Sequence, residues 1–154
     1  MDEGEQTQWV REHLWHDLVS EHRSLVKVLD DVESLVEHGS FETARRRFGE
    51  YRLAQERELV AEQELEKLCS GVREVASFLV RLQRERTQVL EQCDHVWTCL
   101  CRETRAPVPR MLGRLASLML EHEDGQRRLI LADLPLSPEL RTAQGELLLR
   151  LGHL

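Results

Sequence analysis

Leu18-Val19-Ser20-Glu21-His22 lies in register with Leu82-Gln83-Arg84-Glu85-Arg86, and the register continues, Asp30 falling on Asp94 and Val32 on Val96. A second segment follows each of these. Phe48-Gly49-Glu50-Tyr51-Arg52, with Glu56, Leu59 and Val60 behind it, overlays Leu118-Met119-Leu120-Glu121-His122, with Gln126, Leu129 and Ile130. The chain therefore reads as two weak copies of a helix pair. Each copy offers an inward polar position on its first helix and an i, i+4 pair on its second. That layout is how a helical bundle assembles a dinuclear centre in its core.

Working outward, apolar residues recur at the helical period in four long segments. The first runs from about Gln8 to His38 through Leu14, Leu18, Leu25, Leu29, Val32 and Val36. Gly39 supplies a stop and Ser40 an N-cap. A second carries Phe41, Ala44, Phe48, Tyr51, Leu59, Leu65 and Leu68 and ends near Ser70-Gly71; a third begins near Val72 and passes through Leu79, Leu82, Val89, Val96 and Leu100. Proline cannot continue a helix, so Arg105-Ala-Pro-Val-Pro breaks it before a fourth, from about Arg110 to Ala132. Short loops between long helices favour antiparallel neighbours. The expected fold is all-α, an up-down-up-down four-helix bundle over residues 1–134. Residues 135–154 read as a linker and an amphipathic tail helix, capped by Ser137, with Pro138 in its first turn. That tail helix is expected to cap the end of the bundle; otherwise Leu140, Leu147 and Leu151 on it form a partner or self-association face.

At 154 residues the chain suits one domain with a sizeable core. Its net charge of −7 argues against nucleic acid, which requires a clustered basic surface. Arg45-Arg46-Arg47 is the one local exception, and a solvated helix face explains it. No apolar run approaches the roughly 18 to 20 residues of a membrane span. The acidic start MDEGEQTQW is unlike a secretory signal. A cytoplasmic location, in a bacterium, is expected, so Cys69, Cys93, Cys99 and Cys101 read as reduced structural thiols.

In layout, residues from Leu14 to Leu134 resemble the hemerythrin-like (HHE cation-binding) family. That family places a His on the first helix, His-x-x-x-Glu on the second, His on the third, and His followed by a carboxylate on the fourth. Glu21-His22-Arg23-Ser24-Leu25 matches the first motif and Glu121-His122-Glu123-Asp124-Gly125-Gln126 part of the fourth. The resemblance makes His22, Glu56 and His122 the vestigial ligand set. Arg52, Arg86 and Gln126 then stand at former ligand positions. A guanidinium has no lone pair to give a metal, and an amide lends no charge.

Two outcomes follow for the core. In one, Arg52 and Arg86 point inward and pair with Glu56, replacing the ions with a salt-bridge network. In the other, His22, His122 and Glu56 make a mononuclear site suited to iron or zinc. An acidic ligand drawn to the guanidiniums is a third possibility. His13 and His16 read as surface residues, and His95 near Cys99 as an adventitious zinc pair at most. No nucleophile elbow or phosphate loop is present, so no enzyme is expected. The expected function is non-enzymatic: a bundle that has lost its di-iron centre, carries no cofactor, and acts through a protein partner or self-association. The alternative is an oxygen- or redox-sensing module using the reduced ligand set.

Overall fold

A computed structural model describes residues 2–71 and 73–131, with Pro138 and Thr142 isolated beyond them. The tail positions Leu140, Leu147 and Leu151 lie outside the described residues. Among the described residues four α-helices make the fold: α1 (Glu3–Glu37), α2 (Phe41–Cys69), α3 (Ala76–Cys101) and α4 (Val108–Leu131). A 3-10 turn, Arg73–Val75, leads into α3. Each helix packs on two others, α1 on α2 and α4, α3 on α2 and α4. The protein is an all-α bundle, and these contacts are compatible with up-down-up-down order.

Helix α1 starts at Glu3, five residues before the start near Gln8 that the apolar period predicts, because polar chemistry rather than burial begins it. The Asp2 side chain accepts from the Glu5 amide at 2.8 Å, and Glu5 returns a bond to the Asp2 amide. This reciprocal box satisfies two otherwise orphaned donors. At the other end Gly39 takes φ +75°, a left-handed conformation that favours glycine, while the Ser40 amide donates to Leu35 O at 2.8 Å. Ser40 makes no side-chain cap, contrary to expectation. The glycine-centred turn already sets the chain direction there. Arginines close this end: Arg105 donates to Val36 O and Arg45 to Leu100 O, both at 3.0 Å. Carbonyls that end helices lack intrahelical partners, and these bonds supply them.

Among the described residues the core falls into two apolar clusters. One apolar cluster holds Leu25, Leu29, Val32, Phe48, Tyr51, Val89, Val96, Leu112 and Leu115 among others. A second holds Leu14, Leu18, Ala61, Leu65, Val75, Leu79, Leu82 and Leu129. Between them every helix contributes buried polar residues: His22 from α1, Gln55, Glu58 and Glu62 from α2, Glu85 from α3, and His122 and Gln126 from α4. Gly125 lets α3 and α4 approach here, since a Cβ on it would stand 2.4 Å from Leu82 Cδ2.

Candidate functional site

The polar layer is built by the same helical rows that build the core. On α2, Ala44, Phe48, Tyr51, Gln55, Glu58, Glu62, Leu65 and Cys69 are buried at alternating steps of four and three. Glu58 and Glu62 are members of that row, held inward by the apolar residues on either side. On α1, His22 continues Leu14 and Leu18; on α4, His122 and Gln126 precede Leu129. The helix period aligns them, and packing at both ends locks them in place.

Each imidazole is held on both nitrogens. His22 donates from Nε2 to Glu58 Oε1 at 2.7 Å and from Nδ1 to Glu123 Oε2 at 2.9 Å. His122 donates from Nε2 to both oxygens of Glu62 at 2.8 Å and from Nδ1 to Glu85 Oε1 at 3.3 Å. Ionised carboxylates only accept, so a ring with one on each nitrogen donates on both sides as an imidazolium. Burial opposes that charge at His22, yet the Glu58 carboxylate, its hydrogen bond and the bond from Glu123 prevail, raising the pKa from 6.5 to about 9. At His122 burial is likewise outweighed by Glu62 and Glu85, and the pKa is raised. Burial would push the Glu62 carboxyl up, but the His122 bond and charge, the Gln126 amide and Arg86 hold it below its ordinary value.

The network extends through Gln126, whose amide donates to Glu58 Oε1 at 3.2 Å and to Glu62. Arg86 Nη2 donates to Glu62 Oε1 at 3.1 Å and to Glu66 Oε2. Arg81 donates to Glu85 Oε2 at 3.2 Å from the more exposed side. Not every acceptor is satisfied. Glu58 Oε2, Glu66 Oε1, Gln55 Oε1 and Gln126 Oε1 are buried without a hydrogen-bond partner among the described residues.

His22, His122, Gln126 and Arg86 thus meet in one layer, but two other expected members do not. Glu56 is exposed and outside the core. Arg52 lies between α2 and α3, donating to Asp94 Oδ1 at 2.7 Å with its guanidinium 5.7 Å from the centre of the Trp97 ring. Both sit one residue past a member of the buried row, Arg52 after Tyr51 and Glu56 after Gln55, so the helical twist carries them off the inner face. The expected pairing of Arg52 and Arg86 with Glu56 is replaced by Arg86 on Glu62 and Glu66. The sequence reading missed Glu58, Glu62, Glu66 and Glu85. Extending the row from Phe48 and Tyr51 through Leu65 finds the first two; Glu85 follows Leu82 by three and precedes Val89 by four.

The donor types at this level, two imidazoles with carboxylates, belong to metal chemistry, but their arrangement does not fit a metal pair. Among the described residues no three His, Cys, Asp or Glu side chains are placed to hold an ion. The imidazole nitrogens are spent on carboxylates, and a guanidinium stands on Glu62 and Glu66. His95 is exposed and Cys99 half-buried, joined to Met111 Sδ by a 3.6 Å sulfur contact. Burial pushes the Cys93 thiol up to about 12, so it is unreactive. No helix among the described residues is long and apolar enough to cross a membrane. No family model, curated protein or solved structure matches the chain.

Proposed function

We propose that this protein is a non-enzymatic helical bundle of the hemerythrin-like kind, acting through binding, in which the chain's own cations stand where that family holds a pair of irons. One observation carries this reading: each buried imidazole lies within hydrogen-bond distance of carboxylates on both of its ring nitrogens, and because ionised carboxylates only accept, a ring held this way keeps no lone pair for a metal. The layer then acts as a clamp. His22 ties α1 to α2 and α4, and His122 ties α4 to α2 and α3. A bundle fixed this way keeps its shape without a metal supply and presents its outer surface to a protein partner or a second copy.

A second reading, a module that senses oxygen or redox state through iron or zinc, is favoured by one feature. Each Nε2 faces an inner carboxylate while each Nδ1 bonds an outer one, Glu123 or Glu85, as in carboxylate–histidine–metal arrangements. It requires both rings to release protons before a metal binds. Metal analysis of protein purified after growth with iron separates the two. The first reading gives well under one iron or zinc per chain. Near-stoichiometric metal retained through a chelator wash overturns it and selects the second.

A further inference from the structure

We infer that residues 135–154 dock on their own chain, laying a leucine stripe over the projecting first turns of α1 and the adjoining end of the second apolar cluster. That end of the bundle is uneven. Leu129, near the end of α4, shares the second cluster with Leu14 and Leu18, and α4 is described to Leu131. Helix α1 runs on past this level from His13 back to Glu3, about three turns, or roughly 16 Å. Leu14 is the first buried side chain of α1 among the described residues. On the projecting turns Trp9 is 45% exposed, stacked on His13 of its own helix with ring centres 3.8 Å apart. An open hollow of about 720 Å3 runs beside them, lined among the described residues by Asp2, Gly4, Glu5, Gln8, Trp9 and Glu12. Trp15 and Phe78, against the second cluster, are partly buried.

The chain beyond Leu131 supplies the occupant. Pro138 and Thr142 are helical and exposed, and the Thr142 hydroxyl donates to Pro138 O at 2.9 Å. Those two residues mark an outward face. Helical spacing puts Leu140, Ala143, Leu147 and Leu151 within about 40° of the side opposite Pro138. An apolar stripe on a surface helix is turned toward a core. Neither piece suffices alone, because an isolated helix shorter than about 12–15 residues is marginal in water. The capping box of Asp2 and Glu5 secures the first turn of α1 by polar bonds alone. Reach and length agree. The connection from Leu131 to Pro138 spans up to about 23 Å at full extension. A helix from Pro138 to Leu151 is about 20 Å long, close to the projecting length of α1. A tethered segment also meets its own chain at an effective concentration in the millimolar range. A separate partner or a second copy must exceed that to take the stripe. The outer faces of the four helices, rather than the tail leucines, then remain for partners.

The test uses the full chain with a photo-cross-linking residue on the edge of the stripe, Leu148→p-benzoylphenylalanine. An equal mixture of isotopically light and heavy protein is irradiated and its cross-linked peptides are read by mass spectrometry. The tail is expected to join residues 3–15, in light–light and heavy–heavy pairs alone. Light–heavy pairs at those residues would mean that a second copy covers the face, and the inference fails. It fails equally if no cross-link reaches residues 3–15. Hydrogen exchange of the parent and of the double variant Leu147→Ser, Leu151→Ser supplies an independent readout. Amides from Glu3 to His13 should exchange about tenfold faster or more in the variant, while those from Leu25 to Val36 keep the parent's rates. Unchanged exchange from Glu3 to His13 would show that the tail does not cover α1. Each of these failures leaves the metal-free reading of the polar layer untouched, since that reading is decided by metal content.

Discussion

Burial by itself drives a proton off an imidazole, so a doubly hydrogen-bonded His22 shows which force wins at the residue scale. Glu58 and Glu123 outweigh desolvation and raise the pKa from 6.5 to about 9. A raised folded-state pKa means the stability from this group is fully present below the unfolded value and is lost as pH rises through the folded value. Glu62 behaves in the opposite sense. Its folded pKa is lowered from 4.5, so its contribution is present above that value and disappears as acid protonates it. Together they place the network's greatest stabilisation between pH 4.5 and 6.5, with a decline toward pH 9. Denaturant unfolding across this range should show the decline in the parent chain and a flatter profile in His22→Gln. Equal slopes in the two proteins would mean that His22 is not the titrating clamp.

At the scale of a single helix, the rotation of α2 decides which carboxylates matter. Glu62 is buried against His122 and Arg86, whereas Glu56 is exposed. Removing one member of a buried ionic group leaves its partners uncompensated, so Glu62→Ala should destabilise by about 3–5 kcal/mol. Glu56→Ala should stay within about 0.5 kcal/mol of the parent. Chemical denaturation of both variants checks the rotation, and a reversed order would place the opposite face of α2 inward. The four helices were legible in the sequence because apolar steps of three and four persist along each, and Gly39 and the Pro107–Pro109 segment punctuate them. His22, His122 and Gln126 were legible too, since they lie on their helices' apolar rows. On α2 the row passes through Gln55, Glu58 and Glu62 with few apolar markers in between. Aligning Tyr51-Arg52 with Glu121-His122 therefore set the site about two turns too early. The longer start of α1 escaped for a related reason, because a capping box rather than hydrophobic periodicity extends it.

At the scale of the molecule, two apolar clusters among the described residues flank one ionic layer to which α1, α2, α3 and α4 all contribute. Hydrophobic burial is indifferent to small slips of helix register, but a layer in which each imidazole must meet two carboxylates is not. That demand fixes how the four helices stack, with Gly125 permitting close approach of α3 and α4 at the same level. The account stands or falls on whether protons, not metals, neutralise the layer. Nuclear magnetic resonance of the ring nitrogens of His22 and His122 reads this directly. At about pH 6 both nitrogens of both rings should be protonated, and the signals should stay unchanged after a chelator wash or addition of Zn2+ or Fe2+. A neutral ring with a bare Nε2, whose signal moves when metal is added, would contradict the account.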